Sequence, residues 1–132
     1  MEYHIRPMED RDISTVAKSF ADAANTPENV YLVCECTGEI AGYCGMWTVL
    51  GEGNITNIAV SPAYRRSGVA EALLKELERR ARLKDVTIFF LEVRQSNEAA
   101  KRLYEKLGYS PIGVRKRFYE KPVEDAIVMS KS

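Results

Sequence analysis

Apolar positions along the chain follow two periods, one helical and one extended. Ile13, Val16, Ala17, Phe20 and Ala24 fall at the i, i+3, i+4, i+7 spacing of one helix face. The Asp10/Asp12 turn offers that helix an N-cap, and Asn25-Thr26-Pro27 ends it. Ahead of it, Tyr3-His4-Ile5-Arg6 reads as a short strand stopped by Pro7. Three strand-like runs follow, residues 30–36, 40–49 and 54–60, separated by the turns Thr37-Gly38-Glu39 and Gly51-Glu52-Gly53. Close spacing and turn chemistry of this kind predict an antiparallel meander.

After Ser61-Pro62 a basic turn leads into a second helix with Ala70, Leu73, Leu74, Leu77 and Ala81 on one face. Glu71/Lys75 and Glu76/Arg80 are favourable i, i+4 pairs on the other. Residues 86–93 (VTIFFLEV) are almost continuously apolar, which predicts a central strand buried on both faces. Ser96 and Asn97 open a third helix with Ala100, Leu103, Tyr104 and Leu107 on its apolar face, and Gly108 stands at its C′ position. Residues 110–117 and 125–130 close the pattern as two strands. The order β-α-β-β-β-α-β-α-β-β describes an α+β fold: a mixed, mostly antiparallel sheet of about seven strands with helices on both faces.

The length of 132 residues predicts one domain over the whole chain. No apolar run approaches the ~18 residues of a membrane span, and the first residues lack the apolar core of a signal peptide. The expected compartment is the cytoplasm. Lys plus Arg equals Asp plus Glu at 19 each, which argues against a generic nucleic-acid binder. The balance conceals an asymmetry: residues 1–60 carry a net charge of −6 and residues 101–122 a net of +5. Two differently solvated surfaces would account for it, as would one patch for an anionic ligand and another for a cationic one. Cys34, Cys36 and Cys44 lie in apolar strand-like runs and read as buried free thiols. With His4 as the only histidine and a Cys-x-Cys spacing, no metal site is expected.

Three features carry chemistry. Arg65-Arg66-Ser67-Gly68-Val69-Ala70 lies between a strand and a helix, where free first-turn amides, a glycine and two arginines suit an anion. A basic turn that happens to hold a glycine would look the same. Glu92 ends the apolar strand face Val86, Ile88, Phe90, and a carboxylate there loses hydration and becomes a better proton acceptor. Equally, the strand could simply emerge into solvent at that point. Tyr104 is either a core tyrosine whose hydroxyl finds a backbone partner or a phenol placed as general acid.

Taken in this order, the features resemble the GNAT superfamily of acetyl-CoA-dependent N-acetyltransferases over residues 2–130. Arg65-x-x-Gly68-x-Ala70 is similar to its coenzyme-binding turn, Gln/Arg-x-x-Gly-x-Gly/Ala. Asn57-Ile58-Ala59-Val60, Leu91-Glu92-Val93-Arg94, Ser96-Asn97-x-Ala99-Ala100 and Leu103-Tyr104-Glu105-x-Leu107-Gly108-Tyr109 resemble the RimI branch within it. So do Gly113-Val114-Arg115 and residues 124–129.

The resemblance implies acetyl-CoA as cosubstrate and no metal. Backbone groups of Ile58, Ala59 and Val60 would hold the acetyl and pantetheine portion, Arg65 to Ala70 (Arg65, Arg66, Ser67, Gly68, Val69, Ala70) the pyrophosphate, and the Asn97 side chain would contact the coenzyme. Glu92 matches the family's proton acceptor and Tyr104 its proton donor. The implied acceptor is a protein N-terminus, a basic peptide from small-subunit ribosomal protein eighteen, taken by a monomer with no nucleic-acid or membrane partner. RimI-like chains carry more residues between the first helix and second strand than the stretch 25–29 here, so the acceptor half reads as abbreviated. That leaves a small-molecule amine, or a non-catalytic acetyl-CoA-binding module, as alternatives.

Overall fold

The computed structural model describes residues 2–12, 15 and 29–132. The helix expected from Ile13 to Ala24, and the connection after it, lie outside these residues, apart from helical residues 10–12 and 15. Asp12 does not act as N-cap. It accepts the Glu9 N–H at 2.8 Å from within the first turn, the reciprocal half of a capping box, and Arg6 grips both its oxygens at 2.7 and 2.9 Å.

Seven strands form one sheet in the order β1-β2-β3-β4-β5-β7-β6: β1 His4–Pro7, β2 Asn29–Cys36, β3 Glu39–Val49, β4 Glu52–Val60, β5 Ile88–Arg94, β6 Ser110–Tyr119 and β7 Glu124–Lys131. β2, β3 and β4 make the expected antiparallel meander, β1 joins it antiparallel at the edge beside β2, and only β4 and β5 run parallel. The second turn is tighter than expected, since β3 ends at Val49 and β4 already begins at Glu52. α1 spans Val69–Arg82 and α2 Glu98–Lys106. Both bury their apolar faces in one core with Leu32, Cys44, Met46, Phe89, Leu91 and Met129. A smaller cluster around Val33 and Tyr43 occupies the opposite face. All three cysteines are buried free thiols.

The pattern leaves out one core residue and misreads one strand. The core face of α1 includes Glu78, only 7% exposed. Its helical position, four residues after Leu74, places it on the core side. Tyr109 Oη donates to Glu78 Oε2 at 2.8 Å, and Lys131 Nζ lies 2.8 Å from Oε1, so the buried charge is paired on both oxygens. Strand β5 is buried on one face only: Phe89, Leu91 and Val93 are enclosed, while Ile88, Phe90, Glu92 and Arg94 are half-buried.

That half-open face follows from a break in the sheet. β4 and β5 pair only from Glu52–Ile88 to Asn54–Phe90 and then separate. On β4, Ile55 pairs with Met46 and Asn57 with Gly45, so Thr56 is an extra residue, a bulge. A bulge bends its strand and increases the local twist. β5 meanwhile stays in register with β7 from Phe89 to Arg94. One strand turns away and its neighbour does not.

Candidate active site

The separation leaves a cleft of about 250 Å³ lined by residues 55–58 of β4, residues 91–94 of β5, Asn97, Tyr104 and Tyr119. Its β4 wall has an ordered polarity. Ser61 N–H bonds to Ala41 C=O at 2.8 Å, which makes 61/41 a hydrogen-bonded pair of the β3–β4 ladder. Such pairs alternate in antiparallel sheets, so Ala59/Tyr43 is bonded and Ile58/Cys44 and Val60/Gly42 are not. Ile58 and Val60 therefore turn their backbone groups toward the gap, where β5 no longer pairs. Ala59 turns its own toward β3. Of the three residues expected to offer backbone groups, the ladder geometry turns two, Ile58 and Val60, away from β3, and Ile58 lines the cleft itself.

The basic turn lies just past β4. Gly68 precedes α1 at φ +81°, a left-handed conformation that L side chains rarely adopt, and a Cβ there would meet nothing within 4 Å. No side chain caps the helix, so the first-turn amides of Val69, Ala70 and Glu71 lack intrahelical acceptors. Arg65 and Arg66 are exposed; Arg65 Nε donates to Val60 C=O at 3.3 Å, drawing the turn toward the end of β4. Ser67 Oγ donates to Tyr64 C=O. The Val69 side chain is buried in the core and anchors the helix start. Open space above a glycine, uncapped amides and two exposed cations together suit a pyrophosphate.

Glu92 and Tyr104 reach the cleft from opposite faces of the sheet. Glu92 alternates with Leu91 and Val93, whose side chains enter the helix-covered core, so its carboxylate stands on the other side. Its surroundings are more polar than an apolar strand face implies. It is 28% exposed, and Arg115 Nε of β6 lies 3.3 Å from Oε1. Tyr104 comes from α2 on the core side, 6% exposed, with its ring edge against Tyr109 at 6.1 Å between centroids. Among the described residues its hydroxyl takes no backbone partner, unlike an ordinary core tyrosine. Burial pushes its pKa up to about 12, with the Tyr119 phenol adding to the shift. Asn97 caps α2, its Oδ1 accepting the Ala100 N–H at 3.1 Å, and lines the cleft as well.

A comparison of the sequence with family models matches residues 1–109 to the acetyltransferase (GNAT) family. The chain belongs to the GNAT acetyltransferase family. A Bacillus subtilis protein is 41% identical over 110 residues, covering 83% of this chain and 73% of its own length. The ribosomal protein bS18-alanine N-acetyltransferase of Haemophilus influenzae is 37% identical over 117 residues, 85% of this chain and 80% of its own. The crystal structure of the ribosomal-protein-S18-alanine N-acetyltransferase from Escherichia coli superposes with a TM-score of 0.90 at 29% identity, over 98% of this chain and 93% of that one. The α+β fold expected from the pattern is thus the GNAT fold, and the chain is an N-acetyltransferase that uses acetyl-CoA. Among the described residues no group of His, Cys, Asp or Glu could hold a metal ion, and no helix is long and apolar enough to cross a membrane.

Sequence reasoning missed Thr56, Arg94, Arg115 and Tyr119 as parts of this site. The last had a signal in the aromatic pair Phe118-Tyr119 ending a basic run, but a strand read as stopping at residue 117 excludes it. The other three depend on pairing register, which no local pattern reports.

Proposed function

We propose that residues 1–132 form a single N-acetyltransferase domain that acetylates the N-terminal α-amine of a protein by direct attack in a ternary complex. The observation that carries this reading is the cleft itself: a carboxylate on one face of the sheet, a buried phenol on the other, and inward-facing backbone groups between them. Acetyl-CoA supplies the acetyl group and leaves as the thiol. In this reading the turn from Arg65 to Ala70 holds its pyrophosphate, and the Asn97 side chain, through the nitrogen not used in capping, contacts the coenzyme. The Ile58 and Val60 backbone orients the thioester carbonyl. An N–H aimed at the carbonyl oxygen stabilises charge as it develops there. Glu92 accepts the proton of the attacking amine, directly or through one water. Tyr104 keeps its own proton until sulfur departs, because its raised pKa leaves it protonated at neutral pH.

An α-amine titrates at ~7.7–8.0 against ~10.4 for a lysine, so at neutral pH a useful fraction is already uncharged and a modest base suffices. The likeness to bS18-alanine N-acetyltransferases supports an N-terminal alanine of a basic ribosomal protein as acceptor. The net charge of −6 over residues 1–60 suits a cationic peptide. The enzyme is read as a cytoplasmic monomer. The test is acetyl-CoA consumption with a synthetic peptide copying the N-terminus of bS18, beside the same peptide with its α-amine blocked and its lysines free. Turnover confined to the free α-amine is expected. Acetyl-CoA binding without turnover on either peptide would sink the acceptor assignment and direct the search to small amines.

A further inference from the structure

The side chain that follows the strand pattern past Glu92 has an unusual set of partners. Arg94 Nη1 donates to Pro122 C=O at 3.2 Å and lies 3.3 Å from Glu124 Oε1, while Nη2 donates to Glu120 C=O at 3.1 Å. Its guanidinium carbon stands 4.4 Å from the Tyr119 ring centroid. Glu124 in turn accepts the Ser96 N–H through Oε2 at 2.6 Å, one residue before the Asn97 cap of α2. A single guanidinium thus joins the end of β5 to the whole β6–β7 turn, and through Glu124 that turn is tied to the start of the helix carrying Tyr104. Arg115 differs: it is 59% exposed, and its contacts are one carboxylate oxygen of Glu92 and the Phe118 ring at 5.8 Å.

What Arg94 holds still is Tyr119, which lines the cleft beside Glu92. We infer that Arg94 is a positioning residue whose grip on Tyr119 fixes the wall that limits the acceptor's first side chain to a small one. This rests on the reading of the cleft as the site of α-amine acetylation. An amine that delivers its proton to Glu92 carries its first side chain into the space bounded by Tyr119 and residues 56–57 of β4. The cleft, at about 250 Å³, falls below the usual range of ligand sites, ~300–1,000 Å³, and must admit the acetyl group as well. A tyrosine ring free to rotate would yield to a larger side chain. One covered by a guanidinium, itself fixed by two carbonyls and a carboxylate, does not.

The experiment compares kcat/KM for two peptides identical except for Ala or Leu as first residue, at saturating acetyl-CoA. The wild-type enzyme is expected to favour the alanine peptide strongly. Arg94→Gln should lower that preference at least tenfold, mainly through the KM of the leucine peptide, with acetyl-CoA affinity unchanged. Arg94→Lys, a point charge without the planar fork, should fall between. Tyr119→Ala should lower the preference as much as Arg94→Gln, and Tyr119→Phe, which keeps the ring, should retain it. A preference unchanged in Arg94→Gln, or in Tyr119→Ala should the arginine variant not fold, overturns the inference. Failure of the wild-type enzyme to acetylate even the alanine peptide overturns the α-amine reading itself, and the inference with it.

Discussion

Gly38 and Gly68 form a matched pair of positions that separates backbone strain from ligand exclusion. Their φ angles are +79° and +81°, and a Cβ built on either meets nothing within 4 Å. Alanine at either site therefore carries the same two terms: the steric cost of a left-handed L residue, about 1–2 kcal/mol, and no clash. For a chain of this length that corresponds to a fall in Tm of roughly 3–8 °C in both variants. Only at Gly68 does the added methyl project into the space above a helix N-terminus proposed to hold the coenzyme pyrophosphate. Calorimetric titration with CoA should show Gly38→Ala binding like the wild type and Gly68→Ala at least tenfold more weakly, with Gly68→Val weaker still. Equal loss of stability with equal CoA affinity would refute the cradle, because the one difference between the two sites would have had no consequence.

Glu92→Gln and Tyr104→Phe should each lower kcat by about 10²–10⁴, the usual contribution of general acid–base catalysis, with acetyl-CoA affinity retained. Near-wild-type kcat in both, with chemistry rate-limiting, would remove those roles. Tyr109→Phe deletes the hydroxyl that serves buried Glu78 and should cost about 1–3 kcal/mol in urea unfolding. A loss under 0.5 kcal/mol would mean that Lys131 alone satisfies the carboxylate. Arg6 holds the Asp12 carboxyl below its usual 3.8, so the pair stabilises the fold at neutral pH and the contribution fades as pH falls below about 4. Asp12→Asn should therefore be the less stable protein at pH 7, with a shallower acid decline and a curve approaching the wild type at low pH. Parallel curves throughout would contradict this.

The parts of the fold set by local rules were legible in the sequence. Close spacing and turn chemistry give the meander, the i, i+4 pairs Glu71/Lys75 and Glu76/Arg80 form as read, and Asn97 and Gly108 bracket α2 from either end. The residue the pattern left out and the strand it misread share a cause. Glu78 falls at a core position of an amphipathic helix, and only contacts with Tyr109 and Lys131, distant in sequence, make its burial tolerable. The run VTIFFLEV is apolar enough for a strand packed on both sides, yet one side faces a cleft created by a bulge in the preceding strand, on the far side of a helix in sequence. Burial on each face of a strand depends on what its neighbours do.

The same dependence accounts for how two ordinary residues become a site. In an unbroken sheet, β5 would have hydrogen-bonded to β4 along its full length, Ile58 and Val60 would have spent their backbone groups on that ladder, and Glu92 and Tyr104 would have been separated by a continuous layer of main chain. The extra residue at Thr56 removes the layer at one place only. Below Asn54–Phe90 the sheet is closed and carries the core; above it, the two faces communicate through the gap. A proton acceptor and a proton donor can then address opposite ends of one substrate, the amine from one side and the departing sulfur from the other, without meeting each other. Deleting Thr56 is the sharpest test of this account. It should let β4 and β5 pair beyond Asn54, visible as new amide protection at Ile58 and Val60, and should abolish acetyl transfer in a protein that still folds. Retained transfer together with that added protection would show that the gap is not where the chemistry occurs.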